Sequence, residues 1–331
     1  MIRYVWILLF SCLLVLIAQQ EAVAKKWEYK MRTIGQHNDE VLGVFVDFKD
    51  SKVATCSLDE TIKIWTLPNP AKKDPGGKLL HTLTGHLGQV NNISFSGNDK
   101  WLASGSSDMT VRVWDVETGQ QLSVLKGHTD QVIGVYFSQD EESQFIASTS
   151  FDKTVKLWDT KLGAEVKTLR DHTKATNNIA YSYDGLHLAS SSDDKTIKIW
   201  STDLHTKEPV MTLIGHEGPV LTVLYSFDSK LLISSDELGY IKIWSMPSGK
   251  LVRTIKAHDD LIQDVSISGE NDIIVSASID KKVKLWDVAT GQNLMTFDAG
   301  VEIWAVDLVS DVSTLILGCA DGSVRFLDLK K

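Results

Sequence analysis

A histidine, an aspartate and a hydroxyl recur together along this chain, and those groups can do nucleophilic chemistry: an imidazole oriented by a carboxylate can deprotonate a hydroxyl. The sets are His37/Asp59/Thr55, His86/Asp108/Ser104, His128/Asp152/Ser148, His172/Asp194/Ser190 and His258/Asp280/Ser276. Each ends in a tryptophan, at Trp65, Trp114, Trp158, Trp200 and Trp286. Repetition argues against catalysis. An enzyme needs one site, whereas equivalent copies spread along a chain suit a device that every structural unit requires.

The elements that carry these groups read as strands. TIKIW (61–65), TVRVW (110–114), TVKLW (154–158), TIKIW (196–200), YIKIW (240–244) and KVKLW (282–286) end in Trp, and a seventh, SVRFL, puts Leu327 there. Successive spacings of 49, 44, 42, 44, 42 and 41 give the near-constant period of a radial or solenoid repeat. Branched apolar residues alternate with Lys, Arg or Thr, and turn residues such as Ser-Gly-Asn-Asp bound the runs. No helical stretch follows residue 24, so the fold is expected to be all-β. A histidine stands 28 residues before the Trp in five units and 30 before it in a sixth, where Gln139 to Gln144 lengthens a turn.

Gly85-His86, Gly127-His128 and Gly215-His216, with Trp114-Asp115, Trp158-Asp159 and Trp286-Asp287, make the chain resemble the WD-repeat β-propeller family over residues 27–331. The resemblance implies a seven-bladed ring. It also implies a buried hydrogen-bond network in which the turn Asp accepts from His, His meets a Ser or Thr, and that hydroxyl meets the indole N–H. Such a chain satisfies groups that would each cost about 1 to 3 kcal/mol unpaired. Ser104 is favoured over Ser106 as the hydroxyl, because Ser234 persists in the unit where the second becomes Asp236. Two blades depart. Blade 5 has Leu238 in the Asp place, and blade 7 has Ala299, Leu317 and Leu327 in the His, Ser and Trp places while keeping Asp321. Both are expected to be held by apolar packing.

The stretch before His37 has the form of a fourth strand with no third strand ahead of it, and no fourth strand follows FLDL at the other end. Pairing residues 28–34 with the last blade would close the ring and remove two open edges.

The 331 residues carry 34 Lys+Arg against 43 Asp+Glu, a net charge of −9, with 43% hydrophobic residues. That excludes a disordered chain and disfavours a nucleic-acid partner bound through bulk positive charge. Three cysteines are too few for a disulfide framework, and Cys56 and Cys319 are expected as buried small hydrophobes. A basic start, the apolar run Val5 to Ala18 and Ala22-Val23-Ala24 read residues 1–24 as a cleaved signal peptide ahead of a propeller over 25–331. An uncleaved membrane anchor is the alternative. The first reading places the protein in the secretory pathway, periplasm or extracellular space; the others place it at a membrane or in the cytoplasm. Lys63, Arg112, Lys156, Lys198, Lys242, Lys284 and Arg325 keep one register and read as a solvated row. The proline-rich insertion 67–77 is expected as an extended loop at the bottom end, and the sequon at Asn92 lies in an inner strand. No cofactor, metal or catalytic set is indicated.

The loops bearing His and the turn Asp emerge at one end, the top. The resemblance implies that ligands there meet residues five after the His and just before the turn Asp. These are Leu42, Asn91, Ile133, Asn177, Leu221, Gln263 and Trp304, with Leu58, Phe151, Glu237 and Ile279. Clustered exposed apolar groups mark interaction surfaces. The expected function is therefore a noncatalytic scaffold for a protein or peptide partner, with a glycan-binding or glycan-hydrolysing propeller and a membrane-anchored adaptor as alternatives.

Overall fold

Alternation sets each strand. In Thr110–Asp115, Val111 and Val113 go to one face and Arg112 and Trp114 to the other, and both valines and the indole are buried because each sheet is sandwiched between two neighbours. The computed structural model describes residues 27–140 and 142–330, so the leader read at 1–24 lies outside them. Within those residues, seven antiparallel sheets of four strands stand around a ring. Blade 1 is Val41–Val46, Lys52–Ser57, Ile62–Thr66 and Leu79–Leu83, and the later blades repeat its order. The innermost strands contact one another in a closed cycle, with Ile303–Leu308 of blade 7 packed against Val41–Val46 of blade 1. The chain is all-β among the described residues, and none of their helices is long and apolar enough to cross a membrane.

The strand that closes the ring is Glu28–Gln36. It pairs antiparallel with Ser323–Lys330, from Glu28 opposite Lys330 to Gln36 opposite Ser323, giving the last sheet its fourth strand. Arg32 ties the pair together, its Nε donating to Asp328 at 3.0 Å while the guanidinium lies 4.8 Å from the centre of the Phe326 ring. Gly35 is required here: a Cβ would stand 2.1 Å from the Trp65 indole.

Every inner strand carries a β-bulge near its top. In blade 1 the pairing runs from Val41/Ser57 directly to Gly43/Cys56, leaving Leu42 as the extra residue. The same irregularity singles out Asn91, Ile133, Leu221, Gln263 and Trp304, and in blade 4 it falls between Thr176 and Ile179, across Asn177. A bulge re-aims a side chain. The sequence placed these residues at the rim by their distance from His; the bulge is the backbone feature that puts them there.

Polar side chains inside the channel link successive blades. Asp307 accepts from the Val46 N–H at 2.7 Å, Asp264 from Val306 at 3.1 Å and Asn92 from Val135 at 3.2 Å. The Asn92 side chain of the sequon is thus occupied within the fold. Cys56 and Cys319 are buried free thiols, and burial pushes Cys319 up to about 11. The insertion differs from the extended loop expected of it. Pro70–Lys72 form one turn of 3-10 helix because Asn69 Oδ1 accepts from the Lys72 N–H at 3.1 Å and Asn69 bridges to Asp74. Deleting residues 25–34 exposes most of the edge of Ser323–Lys330, and we expect aggregation instead of a monodisperse peak in size-exclusion chromatography.

Candidate functional site

The hairpin turns and the loops between blades bring His, Asp, hydroxyl and indole into one file inside each blade. In blade 2, Trp114 Nε1 donates to Ser104 Oγ at 2.8 Å, Ser104 Oγ lies 2.7 Å from His86 Nε2, and His86 Nδ1 lies 2.8 Å from Asp108. For the neutral imidazole one proton order satisfies all three contacts: indole N–H to hydroxyl, hydroxyl O–H to Nε2, and Nδ1–H to carboxylate. Trp158/Ser148/His128/Asp152, Trp200/Ser190/His172/Asp194 and Trp286/Ser276/His258/Asp280 repeat it with every contact between 2.7 and 2.9 Å. Blade 1 uses Thr55 between Trp65 and His37, with Asp59 at 3.1 Å from Nδ1.

This connectivity matches that of a hydrolytic triad, but the geometry closes the nucleophile position. Ser104, Ser148, Ser190, Ser276 and Thr55 are fully buried, and each hydroxyl already takes the indole N–H. No substrate carbonyl can reach them. Burial opposes ionisation of Asp108, yet hydrogen bonds from His86, Thr110 and the Leu87 N–H outweigh it and hold the carboxyl well below its usual range. Burial pushes His37 down to about 4 against the pull of Asp59, and it also lowers His216 and His258.

Blade 5 corrects the expectation of apolar packing. His216 Nδ1 lies 2.7 Å from Asp236 and Nε2 2.7 Å from Ser234, which accepts from Trp244 at 2.9 Å. The carboxylate comes from two positions earlier than in the other blades. The second Asp236 oxygen accepts from the Leu238 and Tyr240 N–H groups, so one side chain serves both turn and imidazole. Spacing from His hid this, because an Asp reaching from the end of the second strand arrives at the same point as one in the turn. In blade 7, Ala299, Leu317 and Leu327 do join an apolar cluster, but the expected solvated row breaks there. Arg325 bridges Asp321 at 2.5 Å and the Ala299 carbonyl at 3.0 Å. Lys156, Lys198 and Lys242 also leave the row, being buried against Glu165, Asp171 and Thr254 respectively.

At the top, Leu42, Leu58, Ile133, Leu221, Gln263, Ile279 and Trp304 are half-buried around the channel mouth, and Glu237 is exposed. Asn91 and Asn177 are committed to the fold: their amides donate to the Val132 and Val220 carbonyls of the next blade at 2.8 and 2.9 Å. The Trp304 indole N–H is buried and has no acceptor among the described residues. The sequence reading missed Leu87 (83% exposed) and Met109 (47%), which join Phe151 (41%) on top-end loops of blades 2 and 3. Their signal was adjacency: Leu87 follows His86 and Met109 follows Asp108. On the loop entering blade 1, burial and the neighbouring charges of Asp39 and Glu302 raise Glu40.

Residues 28–66, 77–115, 119–159, 163–201, 207–245 and 249–287 match the family model described as WD domain, G-beta repeat. Coatomer subunit beta'-1 of Arabidopsis thaliana is 42% identical over 104 residues, 30% of this chain and 10% of that protein. Nuclear distribution protein PAC1 of Fusarium vanettenii is 36% identical over 141 residues, 37% of this chain and 29% of that protein. The matched segments thus span under a third of either relative. The crystal structure of the WD40 beta propeller domain of Doa1 matches with a TM-score of 0.78 at 27% identity, covering 92% of this chain and 98% of that one.

Asp236→Ala leaves the buried His216 N–H unpaired and is expected to cost about 3 kcal/mol in urea unfolding, whereas Leu238→Ala at the surface costs under about 1 kcal/mol. The unfolded imidazole of His37 takes up a proton near pH 6.5, the folded one only near 4, so the folded state loses stability as pH falls through that window. The stability advantage of wild type over His37→Asn is accordingly expected to shrink from pH 6.5 toward 4, read from urea midpoints at each pH.

Proposed function

Because the chain belongs to the WD domain, G-beta repeat family, we propose that it is a noncatalytic scaffold that takes a protein or peptide partner across the top end of its propeller. One observation carries this reading: Leu87, Met109 and Phe151 are each exposed on the loops of blades 2 and 3 that bear His and the turn Asp, where burying them would remove apolar surface from water. The half-buried Trp304 ring at the channel mouth adds an aromatic group of the kind that anchors interfaces. The partner we infer presents an apolar anchor to blades 2 and 3 and basic groups to Glu40, Glu237 and Glu302.

The sealed hydroxyls supply a physical reason for assigning the His, Asp and Ser sets to stability and not to turnover. Affinity capture with wild type, with Phe151→Ala/Trp304→Ala and with Leu87→Asp tests the surface. Both variants are expected to fold and to lose the principal partner; an unchanged partner set would eliminate the top end as the docking face.

A further inference from the structure

The bottom half of the central channel holds a cavity of about 190 Å³. Its walls are aromatic. Phe45 meets Phe48 at 6.2 Å and 69° and Tyr136 at 5.8 Å and 62°, while Tyr183 and Phe227 face each other at 4.7 Å and 39°. The Tyr136 and Tyr183 hydroxyls are hydrogen-bonded together. Phe227 is 38% exposed at the bottom opening. Phe45 is edge to face with Phe48 and Tyr136 whereas Tyr183 and Phe227 are tilted, and ring faces attract cations.

Four aspartates line the same cavity and no lysine, arginine or histidine does. Asp47 is occupied by its own turn, accepting from the Ser51 and Lys52 N–H groups, and Asp50 accepts from the Ser310 N–H and hydroxyl. Lys49 at the edge points to Asp99. Asp264 and Asp307 also line the chamber: Asp264 accepts from the Val265 N–H and from Val306 of the next blade, and Asp307 from the Leu308 N–H, the Ser266 hydroxyl and Val46 of the next blade. With no cation to offset them, burial pushes Asp264 up to about 8 and Asp307 up to about 6. Hard metal ions are poorly served, since they want six or more oxygens and no group of three metal-ligating side chains exists among the described residues.

We propose that this bottom-end chamber binds a small organic cation, an alkylammonium group enclosed by the Phe45, Phe48, Tyr136, Tyr183 and Phe227 rings and neutralised by Asp264 and Asp307. Size agrees: the space slightly exceeds a cavity of about 150 Å³ that admits benzene, so it holds a trimethylammonium head and not a drug-sized ligand. The cation is either a free quaternary amine or a methylated lysine side chain reaching in from below. Entry of a positive charge favours ionised Asp264, so binding near neutral pH releases a proton to solvent. The site is independent of the top-end reading.

Calorimetric titration of the full chain with choline, with N-acetyl-trimethyllysine amide and with 3,3-dimethylbutan-1-ol, the neutral isostere of choline, tests it. At least one cation is expected to bind about tenfold or more tighter than the alcohol, with proton release shown by buffers of different ionisation enthalpy. Tighter choline binding identifies a free amine, and tighter binding of the lysine derivative identifies a protein side chain. Asp264→Asn keeps an acceptor for the Val306 N–H, and Phe227→Ala alters only the opening; both should weaken cation binding about tenfold while retaining the native circular dichroism spectrum. Phe151→Ala/Trp304→Ala should bind the cation as wild type does. No cation binding, equal binding of the alcohol, or undiminished binding by the two folded channel variants would overturn the proposal.

Discussion

A file of hydrogen bonds running from a buried indole through a hydroxyl and an imidazole to a carboxylate is the interaction on which this ring depends. It crosses each of the first six blades from the third strand, through the second, to the loop that arrives from the preceding unit. A flat sheet has no intrinsic reason to hold that loop at a fixed height. The Nδ1–H to carboxylate bond supplies one, and the carboxylate also takes the N–H of the next residue, as Asp108 does from Leu87. Proton order matters as much as distance. Protonating Nε2 would oppose the hydroxyl hydrogen and add a charge in a buried position, which is why burial depresses His37.

The same connectivity in a hydrolase would be a catalytic machine, and the difference lies in access. Here the hydroxyl is wrapped by its own blade and shared with an indole, so its reactivity is spent on cohesion. The network holds other surfaces still: the top-end loops, fixed by His and Asp, and the channel, whose inner strands are joined by Asp307, Asp264 and Asn92. Blade 7 shows how little of the device is needed where ring closure supplies another. There Arg325 spans Asp321 and Ala299, and the closing strand Glu28–Gln36 covers the edge.

Much of this was legible in the sequence, for particular reasons. The Trp-ended strands gave the period, and the surplus strand before His37 gave the closure. Asp236 was read wrongly as leaving His216 without a carboxylate, because position along the chain was taken for position in space. Arg325 was read as one of a solvated row, because register identifies a face but not the neighbours on it. Asn91 and Asn177 could be placed at the rim, yet nothing in the sequence revealed that their amides are consumed by the next blade.

What the amino-acid order determined by itself was everything periodic: the strands, the number of units and the polar groups each unit must bury, since these follow from alternation and local turn chemistry. Tertiary structure alone decided which side chains remain free. That depends on distances between residues of blades far apart in sequence, as when the Asp307 carboxylate of blade 7 and the Phe45 and Tyr136 rings of blades 1 and 3 meet in one channel. Only ring closure sets those distances, because the inner strands meet around the channel once the last blade is packed against the first.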